Sequence, residues 1–89
     1  MAGNAVVVHD VDKLEVFGGV LQGKRDELES LYVSLSAETS QQEPNWQDPQ
    51  YEYLKEQVTS YCETCKGQLE QLDDSISYIS SLVVKLRDM

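Results

Sequence analysis

The sequence predicts an all-α fold, an antiparallel hairpin of two long helices that pairs with a second hairpin into a dimeric four-helix bundle. Three observations support this prediction. Both prolines, Pro44 and Pro49, lie in one short segment, so helices can form without interruption on either side of it. Apolar residues recur at helical spacing in both flanking stretches. With 89 residues the chain is expected to be one domain, residues 1–89, whose single core gives only marginal stability.

The first helix is predicted at about residues 12–41. Asp12, with Glu15 three residues later, is expected to cap its start. Apolar residues then recur at spacings of three, four and seven, which indicates a stripe that packs against another helix. The expected members of this stripe are Leu14, Phe17, Leu21, Leu28, Leu31 and Leu35.

Two features interrupt the stripe of the first helix. Lys24 lies in its middle and is expected either to extend its ammonium into solvent or to pair with a carboxylate of a partner chain. Gly18, Gly19 and Gly23 each disfavour a helix interior by about 1 kcal/mol relative to alanine. They indicate either a close approach of another helix or a bend, and the sequence leaves both open.

The turn is predicted at residues 42–48 and contains the only tryptophan of the chain, Trp46. Asp48 is expected to cap the second helix, with Pro49 at its first position, where the missing N–H costs nothing. At the tip of the hairpin, Trp46 is expected either to cover the end of the core or to contact a partner.

The second helix is predicted at about residues 49–87, and its apolar stripe is the cleaner of the two. The steps between members alternate between four and three, except for one additional step of four after Cys65. That extra step predicts a local change in supercoiling. Besides Cys65, the expected members are Leu54, Val58, Tyr61, Leu69, Leu72, Ile76, Ile79, Val83 and Leu86.

A lone hairpin would cover each stripe on one side only. Soluble monomers rarely leave a long apolar groove exposed. Pairing two hairpins into a four-helix bundle removes that exposure, so the two stripes are expected to form both the core and the dimer interface. The pattern leaves open whether the partner is a second copy or a related hairpin.

The charge balance narrows the range of partners. Sixteen acidic residues against seven basic ones give a net charge of −9, which disfavours nucleic acid and anionic membranes. No run of about 18 apolar residues is present to span a membrane. The start, "MAGNAVVVHD", has no basic segment and too short an apolar run for a secretory signal peptide, so any export is expected to proceed without a cleaved leader.

No residue pattern predicts an enzyme, a cofactor or a metal site. His9 has no partner arranged for catalysis and is expected at the surface near the first helix. Cys62 and Cys65 lie well inside the second helix, away from the helix start where redox Cys-x-x-Cys motifs normally occur. A zinc site needs about four ligands, and this pair supplies two. The favoured interpretation is that both cysteines act as small buried hydrophobes.

The turn and the second helix carry a family resemblance. The run "NWQDPQYEYLKEQVTSY" is similar to a Trp-x-Gly turn followed by a helix that bears aromatic residues. In this run, and in its length, acidity and paired stripes, the chain resembles the WXG family of type VII secretion substrates from about Val11 to Met89. Two departures stand out. Asp48 replaces the family's glycine, and the C-terminal Tyr-x-x-x-Asp/Glu export signal is missing because Leu82 follows Tyr78 at that spacing.

The resemblance implies a non-enzymatic protein–protein interaction role. The chain would be an exported dimer, or a targeting partner or chaperone of a larger secreted effector that contributes to virulence. Its partner would be a second copy or a related helical hairpin, with a secretion ATPase or the larger effector as a further contact. The protein would reside in the bacterial cytoplasm before export, and afterwards at the cell surface or outside the cell.

Two other hypotheses remain at this point. Needle subunits of type III secretion are also helical hairpins with a proline-bearing turn, and they assemble into filaments. A redox or metal protein based on Cys62 and Cys65 is the third hypothesis, from a different functional class.

Overall fold

The computed structural model describes residues 6–89, and the first five residues of the predicted domain lie outside this range. Helix α1 covers Val11–Gln41 and helix α2 covers Pro49–Arg87, against the expected ranges of 12–41 and 49–87. The two helices pack against each other along their lengths as an antiparallel hairpin, and the fold is all-helical as predicted. The molecule is a rod with extents of 61 × 27 × 15 Å. No helix in residues 6–89 combines the length and apolarity needed to cross a membrane.

The start of α1 differs from the prediction. The N-cap is Asp10. Its backbone is extended, and its carboxylate oxygen accepts the amide N–H of Lys13 at 3.0 Å. The predicted cap, Asp12, is wrong by two residues. Asp12 instead lies in the first turn, where its negative charge complements the helix dipole.

The two helices meet along a seam that follows one heptad on each helix. Every half-buried residue of α1 belongs to it, at steps of three, four and seven. On α1 the seam consists of Val11, Leu14, Gly18, Leu21, Arg25, Tyr32 and Thr39. On α2 it consists of Tyr51, Lys55, Val58, Cys62, Cys65, Leu69, Leu72, Ile76, Ile79, Val83 and Leu86.

The seam of α2 is regular throughout. Its steps alternate between four and three without exception, so the additional step of four predicted after Cys65 is wrong. The error arose because Leu54 and Tyr61 were placed in the stripe, whereas the structure leaves both exposed. Tyr51 and Cys62 take seam positions in that part of the helix and restore the heptad.

Burial is concentrated on α2. Among residues 6–89, five side chains are buried, and all lie on this helix: Tyr51, Val58, Cys65, Leu69 and Val83. No residue of α1 reaches the same degree of burial. A single hairpin therefore has a thin core.

Gly18 permits the closest approach of the two helices. A Cβ atom at Gly18 would lie 3.1 Å from Cγ2 of Ile79, which is tighter than ordinary van der Waals contact. Gly19 and Gly23 have open space at the same position. Of the two roles that the sequence left open, close approach applies at Gly18.

Candidate functional site

The turn is organised by the carboxylate of Asp48. One oxygen accepts the amides of Gln50 and Tyr51, at 2.7 and 3.2 Å, and so caps α2. The other accepts the indole N–H of Trp46 at 2.6 Å. The pKa of Asp48 is lowered from its usual value, first by the indole hydrogen bond and then by the two amides, because each of them favours the ionised form.

Asp48 is the residue at which the sequence departs from a Trp-x-Gly pattern, and its backbone shows that this position does not require glycine. Its φ and ψ are −154° and 169°, an extended conformation open to any residue. No described residue has a positive φ. The turn therefore needs no glycine, and aspartate contributes both the cap and the tether for Trp46.

Tyr51 fills the end of the core beneath the turn. It is 1% exposed, the most buried large side chain among the described residues, and its hydroxyl donates to the carbonyl of Thr39 at 2.7 Å. The rings of Trp46 and Tyr51 are tilted by 55° with their centroids 5.5 Å apart. Trp46 itself is 37% exposed. Sequence reasoning missed Tyr51, although it lies one heptad before Val58.

The hairpin has two chemically different sides. The two helices run antiparallel. A residue at a given offset along the chain from a seam position therefore lies on the same side of the hairpin on both helices. One side, the ion-pair face, carries the charged contacts between the helices. Its members are Asp12, Glu15, Arg25, Glu29, Asp73 and Arg87.

Arg25 is the centre of the ion-pair face. Its Nε and Nη2 donate to the two carboxylate oxygens of Asp73 at 2.8 and 3.2 Å, and its Nη1 donates to Glu29 at 2.9 Å. These hydrogen bonds, with Asp73 the larger effect, raise the pKa of Arg25 above its ordinary value. At the open end of the hairpin, Arg87 contacts Asp12 at 2.8 Å and Glu15 at 2.9 Å.

The opposite side, the apolar face, exposes large hydrophobic side chains from both helices. Their exposed fractions range from 38 to 66%. The face is defined by Phe17, Val20, Leu28, Leu31, Leu35, Leu54 and Tyr61. These residues form a continuous flank of the seam, so a single hairpin leaves an elongated apolar surface in contact with water.

Acidic residues are segregated away from the apolar face. On its side of the two helices and their caps, three acids are balanced by three bases: Asp10, Glu27, Glu38, Lys13, Lys24 and Lys85. The other side carries eleven acids and four bases, and the turn carries two more acids. On α2 every acidic residue lies on the ion-pair side. The net charge of −9 therefore comes from the ion-pair side and the turn.

The residues that the sequence assigned to a single core and dimer interface fall into three groups in the hairpin. Three are buried in the seam: Val58, Leu69 and Val83. Six are half-buried in it: Leu14, Leu21, Leu72, Ile76, Ile79 and Leu86. Six are exposed on the apolar face: Phe17, Leu28, Leu31, Leu35, Leu54 and Tyr61. The sequence thus combined two adjacent surfaces into one stripe on each helix.

Two polar residues singled out by the sequence are exposed. The side chain of Lys24 is 67% exposed, and its ammonium lies 3.6 Å from Glu27 on the same helix. An exposed pair of this kind contributes little to stability. His9 is exposed immediately before the Asp10 cap.

A groove on the ion-pair side contains both cysteines. This thiol groove has a volume of about 450 Å³ and is lined by Glu29, Tyr32, Val33, Ser36, Ala37, Ser40, Cys62, Cys65, Lys66 and Leu69. Both thiols are free; Cys62 is half-buried and donates to the carbonyl of Tyr32 at 3.6 Å. The pKa of Tyr32 is raised above its ordinary value, first by a hydrogen bond with Cys65. Residues 6–89 contain no cluster of three or more His, Cys, Asp or Glu that could hold a metal ion.

No protein-family model, no curated protein and no solved structure matches this chain. The resemblance to the WXG family therefore depends on the sequence features themselves.

Proposed function

We propose that this protein is a non-enzymatic interaction module whose apolar face pairs with a second helical hairpin to form a four-helix bundle. The observation that carries the proposal is the coincidence of apolar exposure and charge balance on one side of the hairpin. Pairing through this side buries the exposed hydrophobic residues, and it keeps the excess acids in water.

A second copy of the chain fits this face well. Because its charged flank is neutral as a whole, two copies can approach through it without bringing their excess acids together. In an antiparallel arrangement of the two α1 helices, Lys13 and Lys24 of one copy would lie near Glu38 and Glu27 of the other. A related hairpin with a similar face is the alternative partner.

The biological role we propose follows the WXG resemblance. The dimer would be an exported substrate, or would act as a targeting partner or chaperone of a larger secreted effector. The Trp46–Asp48 tether supports this assignment, because it keeps a partly exposed indole at the tip of the bundle in the absence of the family's glycine.

The test of pairing compares two substitutions on α1. Leu31 on the apolar face and Val33 on the ion-pair side are equally exposed, at 66 and 64%. Leu31→Glu is expected to convert a dimer into a monomer, because it places a charge in the proposed interface. Val33→Glu adds the same charge at matched exposure and is expected to leave the dimer intact. Light scattering after size exclusion measures both masses.

The outcomes separate the hypotheses. A wild-type chain that is monomeric at all concentrations would contradict pairing with itself, and co-expression with a neighbouring hairpin gene would then test the related partner. Mass that grows with concentration into fibres would favour the needle-subunit hypothesis. Equal loss of dimer in both variants would show that the interface is not the apolar face.

A further inference from the structure

We propose that Cys62 and Cys65 form a two-coordinate binding site for one monovalent copper ion. The site lies in the thiol groove on the ion-pair side and is separate from the surface proposed for pairing.

The geometry favours an ion bridge over a direct disulfide. Cβ atoms three residues apart on a helix are about 5–6 Å from each other. A disulfide requires a separation of about 3.5–4.5 Å, so forming one would distort the middle of α2. An ion bound between the two sulfurs bridges this wider gap without a direct sulfur–sulfur bond. Both thiols line the same groove, so one ion can reach both.

The two sulfur donors determine which metal ion the site is expected to bind. Thiolates are soft ligands that favour monovalent copper and zinc over harder cations. Structural zinc is held by four ligands, whereas monovalent copper is satisfied by two thiolates in a linear arrangement. The described residues offer no third metal-ligating side chain grouped with this pair, and the one carboxylate that lines the groove, Glu29, is held by Arg25 at 2.9 Å. The site therefore suits copper in its +1 state.

The surroundings suit the charge of the complex. Binding displaces the proton of each thiol to solvent and forms two copper–sulfur bonds, while copper stays in the +1 state. The product, two thiolates and one Cu⁺, carries a charge of −1. Lys66, next to Cys65 in the chain, lines the groove and offsets this charge. Tyr32 of α1 lines the same groove and supplies a hydroxyl donor on that surface.

The test is an anaerobic titration of the full chain with Cu⁺ held by a chromophoric competitor. The wild type is expected to withdraw about one ion per chain, in keeping with a single dithiolate site. Cys62→Ser is expected to abolish this uptake, and circular dichroism verifies that the half-buried position tolerates serine. Cys65→Ser is expected to do the same. Lys66→Gln is expected to weaken binding about tenfold, as for other residues that support a metal ligand.

Several outcomes would overturn the site. Uptake in Cys62→Ser equal to that of the wild type would show that the thiol pair is not the ligand. One ion per two chains would indicate that copper bridges chains. Retention of zinc at one ion per chain would contradict the two-coordinate assignment. Leu31→Glu serves as the control for pairing, because a monomeric variant is expected to keep full copper uptake.

Discussion

At the scale of single residues, Asp48 joins the turn to the second helix. One of its oxygens caps α2 and the other holds the indole of Trp46, so one carboxylate organises both sides of the reversal. Its extended backbone shows that this turn does not require glycine at position 48. The side chain also gives this sequence something that glycine lacks, a charge whose effect depends on pH.

Replacement of Asp48 is expected to destabilise the hairpin in a pH-dependent way. Asp48→Ala should lower the free energy of unfolding by about 1–2 kcal/mol, the usual cost of losing an N-cap. Asp48→Asn keeps an acceptor for the amides and should cost less. Urea unfolding of the three proteins at pH 7 measures both differences.

The direction of the pH effect follows from the lowered pKa of Asp48. A carboxylate whose pKa is lower in the folded state stabilises the fold above its unfolded pKa of about 4. That stabilisation is lost as the pH falls through the folded value. The difference between wild type and Asp48→Asn should therefore shrink on acidification. A difference that stays constant between pH 7 and about pH 2.5 would contradict the role of the charge.

At the scale of the helices, the seam depends on close contact at one glycine. Gly18 faces Ile79 across the seam, whereas Gly23 faces open space on the same helix. The two positions therefore share the cost of a glycine in a helix interior but differ in what an added methyl group would meet.

Alanine at these two glycines is expected to have different effects. Gly23→Ala should stabilise the hairpin by about 0.5–1 kcal/mol, because alanine restricts the unfolded chain and favours helix. Gly18→Ala should gain less, since its Cβ would lie 3.1 Å from Ile79. Gly18→Leu should lose about 1–3 kcal/mol through overpacking. Thermal melts compare the three, and equal gains for both alanine variants would argue against close packing at Gly18.

At the scale of the whole molecule, the acidic excess and most of the exposed large hydrophobic side chains of the two helices lie on opposite sides of one rod. The ion-pair side carries the acidic excess together with the cross-helix contacts of Arg25 and Arg87. The apolar face carries a balanced set of charges. Long-range repulsion between two copies is therefore a property of the whole chain, while the surface proposed for contact is neutral.

Salt is expected to strengthen self-association. Two chains of charge −9 repel each other at a distance, and this repulsion is screened when the Debye length falls to about 10 Å near 0.1 M salt. The dimer dissociation constant should therefore decrease between low and moderate sodium chloride. Sedimentation equilibrium measures it at each concentration. An increase with salt would show that attraction between opposite charges across the interface outweighs the repulsion between the two chains.

The sequence predicts the hairpin because its signals are local. Two prolines in one segment, an aspartate before Pro49 and heptad spacing on either side fix the helices and their connection. The division of each stripe into a seam and an apolar face depends on how the helices are rotated against each other. Leu54 and Tyr61 are as apolar as seam residues, and only the packed pair shows that Tyr51 and Cys62 occupy the seam in that region.

The contacts of the candidate site were harder to predict from the sequence, because they also depend on how the two helices pack. Trp46 and Asp48 were identified from the turn, but the hydrogen bond between them joins side chains whose orientation depends on the fold. The thiol groove requires Tyr32 of α1 to meet Cys62 and Cys65 of α2. No spacing within either helix alone indicates that contact.

The concentration of burial on α2 is expected to affect how long the protein survives proteolysis in a cell. With only five buried side chains among residues 6–89, an unpaired hairpin has little to keep α1 in place, and local opening would expose it to proteases. Pairing would slow this proteolysis, because a partner that binds only the folded form lowers the population of opened chains. The cell would then keep about as many copies as find a partner and degrade the surplus.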